Sequence, residues 1–279
     1  MKVRLSFLLM LLLVGFFSCT STENNTDTSL DSTDTDSANV TSTQNKPNEI
    51  FNLPSPIDLF SVLKENKIPF NKVLLNNSNN IENYVSSDQK SVNIGVFASD
   101  IAYSAVYSMN DETMNLFVTA KRLADDLGLS EGFDDKTIKR IDKNLTNSDS
   151  LYSISTNSYA TALNFLRSQH QEEILPLMIF GSWIESIYIT TYGVNDDNFD
   201  SEDPVVLQLV DQGFLLENLN DYFTSLTIDN DAIITIKKQL SDLQSSYDVL
   251  QDNEEEIITK EQYSNIITKI RTIRKYWTK

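Results

Sequence analysis

Two short acid-aromatic stripes hold the residues of this chain best suited to chemistry. Asp100 is followed by Tyr103 and Tyr107, while Trp183 and Glu185 are followed by Tyr188 and Tyr192. Each tyrosine pair is spaced by four, so in a helix both rings of a pair share one face. Rings beside carboxylates suit a sugar or peptide cleft, with the rings stacking on a ligand and the acids accepting its hydrogen bonds. Two acids could also divide acid and base roles across a glycosidic or peptide bond. The plainer alternative, which the pattern favours, is core tyrosines with satisfied hydroxyls and acids paired inside a bundle. In either case an acid enclosed by aromatics has a raised pKa.

Little other chemistry is open to the chain. His170 is the only histidine, so no two-histidine metal motif and no HExxH helix can be built. It lies in the polar run Arg167 to Glu173, which reads as a solvated helix end instead of part of a triad. No glycine loop able to cradle a phosphate occurs. Asp196, Asn198 and Asp200 alternate like the start of an EF-hand loop, but Ser201 holds the glycine position and Leu207 the bidentate-glutamate position. That excludes an EF-hand and leaves an acidic helix flank, with a weak cation site as the lesser alternative. No cofactor and no metal are expected.

The elements that must position the stripes read as helices. Glycine is scarce, 7 in 279 residues, against a usual share near 7%. Sheet-rich and dinucleotide-binding folds need more turn glycines than this. Ser55-Pro56 and Asp203-Pro204 place a cap before a first-turn proline. Thr259 and Gln262 form a capping box, and Gly128 and Gly193 sit where helices end. Apolar stripes recur at helical spacing in Leu116-Ala120-Leu123-Leu127, Ile233-Ile236-Leu240-Leu243-Tyr247 and Ile266-Ile270-Ile273-Trp277. Helices are predicted at 56–66, 91–108, 111–127, 135–145, 149–168, 173–192, 204–217, 219–226, 230–251 and 260–277, with short helical turns between Phe70 and Ser87. The fold class is all-α, a compact bundle or array of helical hairpins with about ten helices.

An internal similarity joins the two stripes. Ile94-Gly95-Val96-Phe97-Ala98-Ser99-Asp100-Ile101 aligns with Leu177-Met178-Ile179-Phe180-Gly181-Ser182-Trp183-Ile184. Leu123 to Leu127 resembles Leu215 to Leu219 in the same way, with the extra acidic stretch Asn195 to Asp203 in the second copy. A duplicated helical hairpin would explain this; so would chance likeness between amphipathic helices. Ala98 and Gly181 are small, so the shared motif is expected to be a packing device.

At the N-terminus, Lys2 and Arg4 precede an apolar run from Leu8 to Phe17, then Ser18 and Cys19. The run is too short for a membrane span and reads as a secretory signal. Phe16-Phe17-Ser18-Cys19 forms a loose lipobox, and the arrangement resembles the signal of bacterial lipoproteins of the Bacteroidota kind. That resemblance implies that residues 1–18 are removed and that Cys19 is lipidated, for example with palmitate, at the outer membrane, on its periplasmic face or at the cell surface. An ordinary signal cut elsewhere would leave Cys19 a bystander. Residues 19–53 read as a disordered acidic Ser/Thr/Asn/Asp-rich tether, averaging roughly 30 Å end to end, and 54–279 as one domain.

The net charge is −18, and −20 without Lys2 and Arg4. This argues against nucleic acid, whose backbone needs a cationic footprint. It leaves the lipid on Cys19 as the expected membrane contact. The one basic cluster, Lys269, Arg271, Arg274, Lys275 and Lys279, reads as cations at a helix C-terminus. The sequence therefore points to a lipid-anchored envelope protein acting as a non-catalytic binding or scaffolding module, with a glycan, peptide or envelope protein as partner. The alternative is a carboxylate-dependent glycan- or peptide-processing enzyme built on Asp100 and Glu185.

Overall fold

The computed structural model describes residues 56–130, 173–194, 199–228, 230–251 and 257–279, with isolated positions between 136 and 168. The chain divides into two units, Met1–Asn45 and Lys46–Lys279. All described residues belong to the second. The signal, Cys19, the tether, the Ser55 cap, His170 and most of the helices expected at 135–145 and 149–168 lie outside the described residues, as do Asp196 and Asn198.

Among the described residues the fold is all-α, with no strand. The helices are α1 (Pro56–Glu65), α2 (Ser87–Val106), α3 (Asn110–Asp126), α4 (Ile174–Thr191), α5 (Pro204–Ser225), α6 (Asp231–Gln251) and α7 (Lys260–Trp277). Two 3-10 turns, Lys72–Leu74 and Ser78–Asn83, fill the segment between α1 and α2.

Start signals act as their chemistry requires. Asp203 accepts from the Val205 amide (2.8 Å) ahead of Pro204 at the first turn of α5. The Thr259 hydroxyl accepts from the Gln262 amide while the Gln262 side chain accepts from the Thr259 amide, closing the box on α7. Gly128 adopts φ 73° just past α3, a conformation that glycine enters without strain.

Two expectations are corrected. Helix α2 begins at Ser87 instead of 91, because Ser86 and Gln89 form a second reciprocal capping box. The helices expected at 204–217 and 219–226 are one continuous α5, since Leu215, Leu216, Leu219 and Phe223 all face the core and hold Asn218 in the helical run.

The predicted apolar stripes are buried, Leu127 only partly. At the centre lie α2 and α4, the most closely packed pair among the described helices. Helix α4 is apolar and long enough to cross a membrane by composition, yet 89% of it is buried inside the protein, as befits a helix apolar all round.

Gly95 and Gly181 make the close approach possible. A Cβ on Gly95 would stand 2.0 Å from the Met178 carbonyl oxygen, and one on Gly181 1.9 Å from that of Val92. The contact points advance together along both helices, from Gly95–Met178 through Ser99–Ser182 to Asp100–Glu185. The two helices therefore run parallel.

Ser99 donates to the Ser182 carbonyl (2.6 Å), and the two hydroxyls lie 3.1 Å apart, so residues matched in the internal similarity meet across the interface. The motif packs helices as expected at Gly181. Its counterpart on α2 is Gly95, while Ala98 is only half-buried.

Candidate functional site

The parallel α2–α4 pair carries Asp100 and Glu185 to one point in the core. Both residues are 0% exposed. Helix α7 crosses them and delivers Arg274, whose Nε and Nη2 donate to the two oxygens of Glu185 at 2.9 Å each. This fork-to-fork pairing is the strongest geometry open to an arginine and a carboxylate. Nη2 also donates to the Leu74 carbonyl (3.3 Å), and the guanidinium carbon sits 4.4 Å from the centre of the Tyr188 ring. Arginine charge, carboxylate and aromatic face thus form one stack.

Asp100 is held differently. Its Oδ2 accepts from the Asn76 backbone amide at 3.0 Å. Its Oδ1 would have no donor if both acids were ionised. Burial raises the Asp100 pKa well above the ordinary carboxylate range, the neighbouring Glu185 raises it further, and Arg274 only partly offsets both. The protonated form of Asp100 is therefore favoured, and in that form a hydrogen bond between the two carboxyls gives its hydroxyl an acceptor on Glu185. For Arg274 burial works against the charge, but Glu185 outweighs it and the guanidinium pKa ends raised. The result is one shared proton, one positive charge and two carboxyls in a dry setting.

Around this pair runs a polar network that ties four segments together. The Asn76 side chain donates to Tyr84 Oη (3.0 Å) and to Asn93 Oδ1 (3.2 Å), and accepts from Asn80 (3.0 Å). Asn93 donates to the Trp277 carbonyl at 2.8 Å. Burial raises the Tyr84 pKa, so its hydroxyl stays neutral. A network this fully paired avoids the desolvation penalty that a lone buried polar group would carry.

The remaining stripe residues separate. Tyr103 is buried, with its Oη accepting from the Asn71 amide (3.0 Å), and Tyr107 donates to the Ile68 carbonyl (2.8 Å). Burial lifts Tyr107 to about 12 and raises Tyr103 as well. The two rings cluster with Phe60 and Phe70 and serve the core beside the 68–71 segment, not Asp100. Trp183 is buried, its indole N–H lacking an acceptor. Tyr188 is half-buried and leads outward to Tyr192, which is 43% exposed, with ring centres 5.2 Å apart. Burial also raises Tyr188.

The structure thus brings Asp100, Glu185 and Tyr188 together and leaves Tyr103 and Tyr107 elsewhere. It adds Arg274, Asn76, Tyr84 and Asn93. Only Arg274 left a trace in the sequence, as one of the basic cluster read as cations at a helix C-terminus; it is instead half-buried and paired with Glu185. Among the described residues, no group of three histidine, cysteine or acidic side chains could hold a metal ion.

Asp100→Asn is expected to change how stability depends on pH. A carboxyl whose folded pKa is raised contributes stability that is complete below its unfolded value, near 4, and is lost as pH rises through the folded value. Asparagine stays neutral and can still donate to Glu185. Denaturant midpoints measured between pH 4 and 8 should therefore fall less with rising pH in the variant than in the parent. Parallel profiles would mean that Asp100 ionises freely in the fold. No protein-family model, curated protein or solved structure matches this chain.

Proposed function

We propose that this chain is a lipid-anchored, non-catalytic binding or scaffolding module of the cell envelope, attached through Cys19 at the outer membrane. The observation that carries the non-catalytic half is the enclosure of Asp100 and Glu185: both are 0% exposed and engaged by Asn76 and Arg274. A glycosidase needs its two carboxyls on either side of the scissile bond, roughly 5 Å apart or more. Carboxyls hydrogen-bonded to each other leave no such gap. The alternative of a carboxylate-dependent hydrolase draws on the same convergence, because two acids with unlike protonation states are what acid-base chemistry uses. Their burial behind Arg274 weighs against it.

The anchoring half rests on the apolar run ending at Cys19 and the acidic tether after it. Cys19→Ala is expected to move the protein from the membrane to the soluble fraction and to abolish labelling by a fatty-acid analogue. A variant that still labels and sediments with membranes would overturn the anchor.

A further inference from the structure

We propose that Arg271, held over Tyr192 on the seam between α4 and α7, anchors a surface site for a small carboxylate-bearing ligand. The argument begins with a comparison inside the molecule. Tyr188 and Tyr192 follow one another on α4, and Arg274 and Arg271 follow one another on α7 in the opposite sense. The two pairs make parallel stacks, Arg274 4.4 Å from the Tyr188 centre and Arg271 4.7 Å from that of Tyr192. The inner guanidinium is engaged by both oxygens of Glu185 and by the Leu74 carbonyl. The outer one has the same aromatic support but no carboxylate: among the described residues Arg271 forms no ion pair, and its buried Nε has no acceptor.

A guanidinium presents its donors as a rigid planar fork, and a carboxylate is the group that matches two of them at once. The protein makes that match for Arg274 with its own Glu185. At Arg271 no described residue makes that match, and the open position suits an anion from outside. Access exists, because Tyr192 is 43% exposed and opens the outer stack to solvent. Lys275, exposed and one turn further along α7, adds a second cation on the same face. The overall charge narrows the ligand. At −18, the chain repels an extended polyanion, so a single carboxylate on a compact molecule suits this spot better than a nucleic acid or a heavily sulfated chain. An acidic sugar and the free end of a peptide both carry that group.

This inference rests on the binding-module reading and gives it a place and a ligand chemistry. The test is calorimetric titration of the full chain in mild detergent. The probes are glucuronate, an N-acetylated dipeptide with a free C-terminus, the methyl ester of each, and inorganic sulfate. At least one free acid should bind saturably, its ester at least about tenfold more weakly, and Arg271→Gln should weaken the acid by about tenfold or more. Arg271→Lys should recover only part, because the ammonium lacks the fork. Which acid binds tells a sugar from a peptide source. Esters binding as well as acids, sulfate binding as well as either acid, Arg271→Gln binding unchanged, or no saturable binding by any probe would each overturn the proposal. Membrane fractionation of Arg271→Gln should match the parent, which separates failure here from failure of the anchor.

Discussion

Arg274→Met is expected to destabilise the fold by about 3–5 kcal/mol. Methionine keeps the unbranched stem but removes the cation that, among the described residues, pairs with the two fully buried carboxyls. Glu185 would then face Asp100 with no positive charge beside them. The Leu74 carbonyl and the Tyr188 ring lose their partner as well. Arg274→Lys keeps the charge but cannot donate to both Glu185 oxygens in one plane, so an intermediate loss is expected. Chemical denaturation near neutral pH reads both. A methionine variant within about 1 kcal/mol of the parent would show that the pair contributes little more than a surface bridge does.

Gly181→Ala is expected to destabilise the fold as well, and its cause is steric. A methyl group there would stand 1.9 Å from the Val92 carbonyl oxygen, a backbone atom that no rotamer change can move aside. Helices α2 and α4 would have to part by more than an ångström, which disturbs the Ser99–Ser182 bond and the Asp100–Glu185 contact below it. Replacing a mid-helix glycine by alanine favours the helix by about 1 kcal/mol. Forced separation of a packed core interface costs about 3 kcal/mol at the upper end of overpacking effects. The steric term wins, so a net loss near 2 kcal/mol is expected in the same denaturation assay. A variant as stable as the parent would mean that the helices do not approach this closely.

Local signals in the chain were enough for the helices. Asp203-Pro204 and Thr259-Gln262 are start signals contained within a few residues, and stripes such as Ile233 to Tyr247 disclose a buried face by period alone. The extent of α5 was less legible, because asparagine is a weak helix former and only the burial of Leu219 and Phe223 on one face with Leu215 carries the helix past Asn218. The convergence of Asp100 and Glu185 was not legible, because the internal similarity twins their helices without saying how those helices pack. Nor was their chemistry, because it depends on partners far off in sequence. Arg274 is 89 residues from Glu185, and no short pattern joins them. Tyr103 and Tyr107 show the reverse failure, since a shared helix face does not say whether that face meets a ligand or Phe60 and Phe70.

Physically, the shared proton explains why two acids sit in an apolar core without unfolding it. Two full negative charges there would repel each other and strand one of them without a counterion. With Asp100 neutral, the network carries a single ion pair and a chain of satisfied donors. Such a network favours one register of α2, α4 and α7 over others, which a uniformly apolar seam would specify less sharply. The stacked tyrosines then lead from this closed interior to the half-buried Arg271 and the exposed Tyr192.

The central claim is that Asp100 holds a proton inside the folded protein at neutral pH. Infrared spectroscopy of the carbonyl stretch tests it directly, because a protonated carboxyl absorbs apart from a carboxylate. At pH 7 the parent protein should show a protonated-carboxyl band that is absent from Asp100→Asn and unchanged in Arg271→Gln. Identical spectra for parent and Asp100→Asn would contradict the shared-proton pair and return Asp100 to the list of free acids open to catalysis.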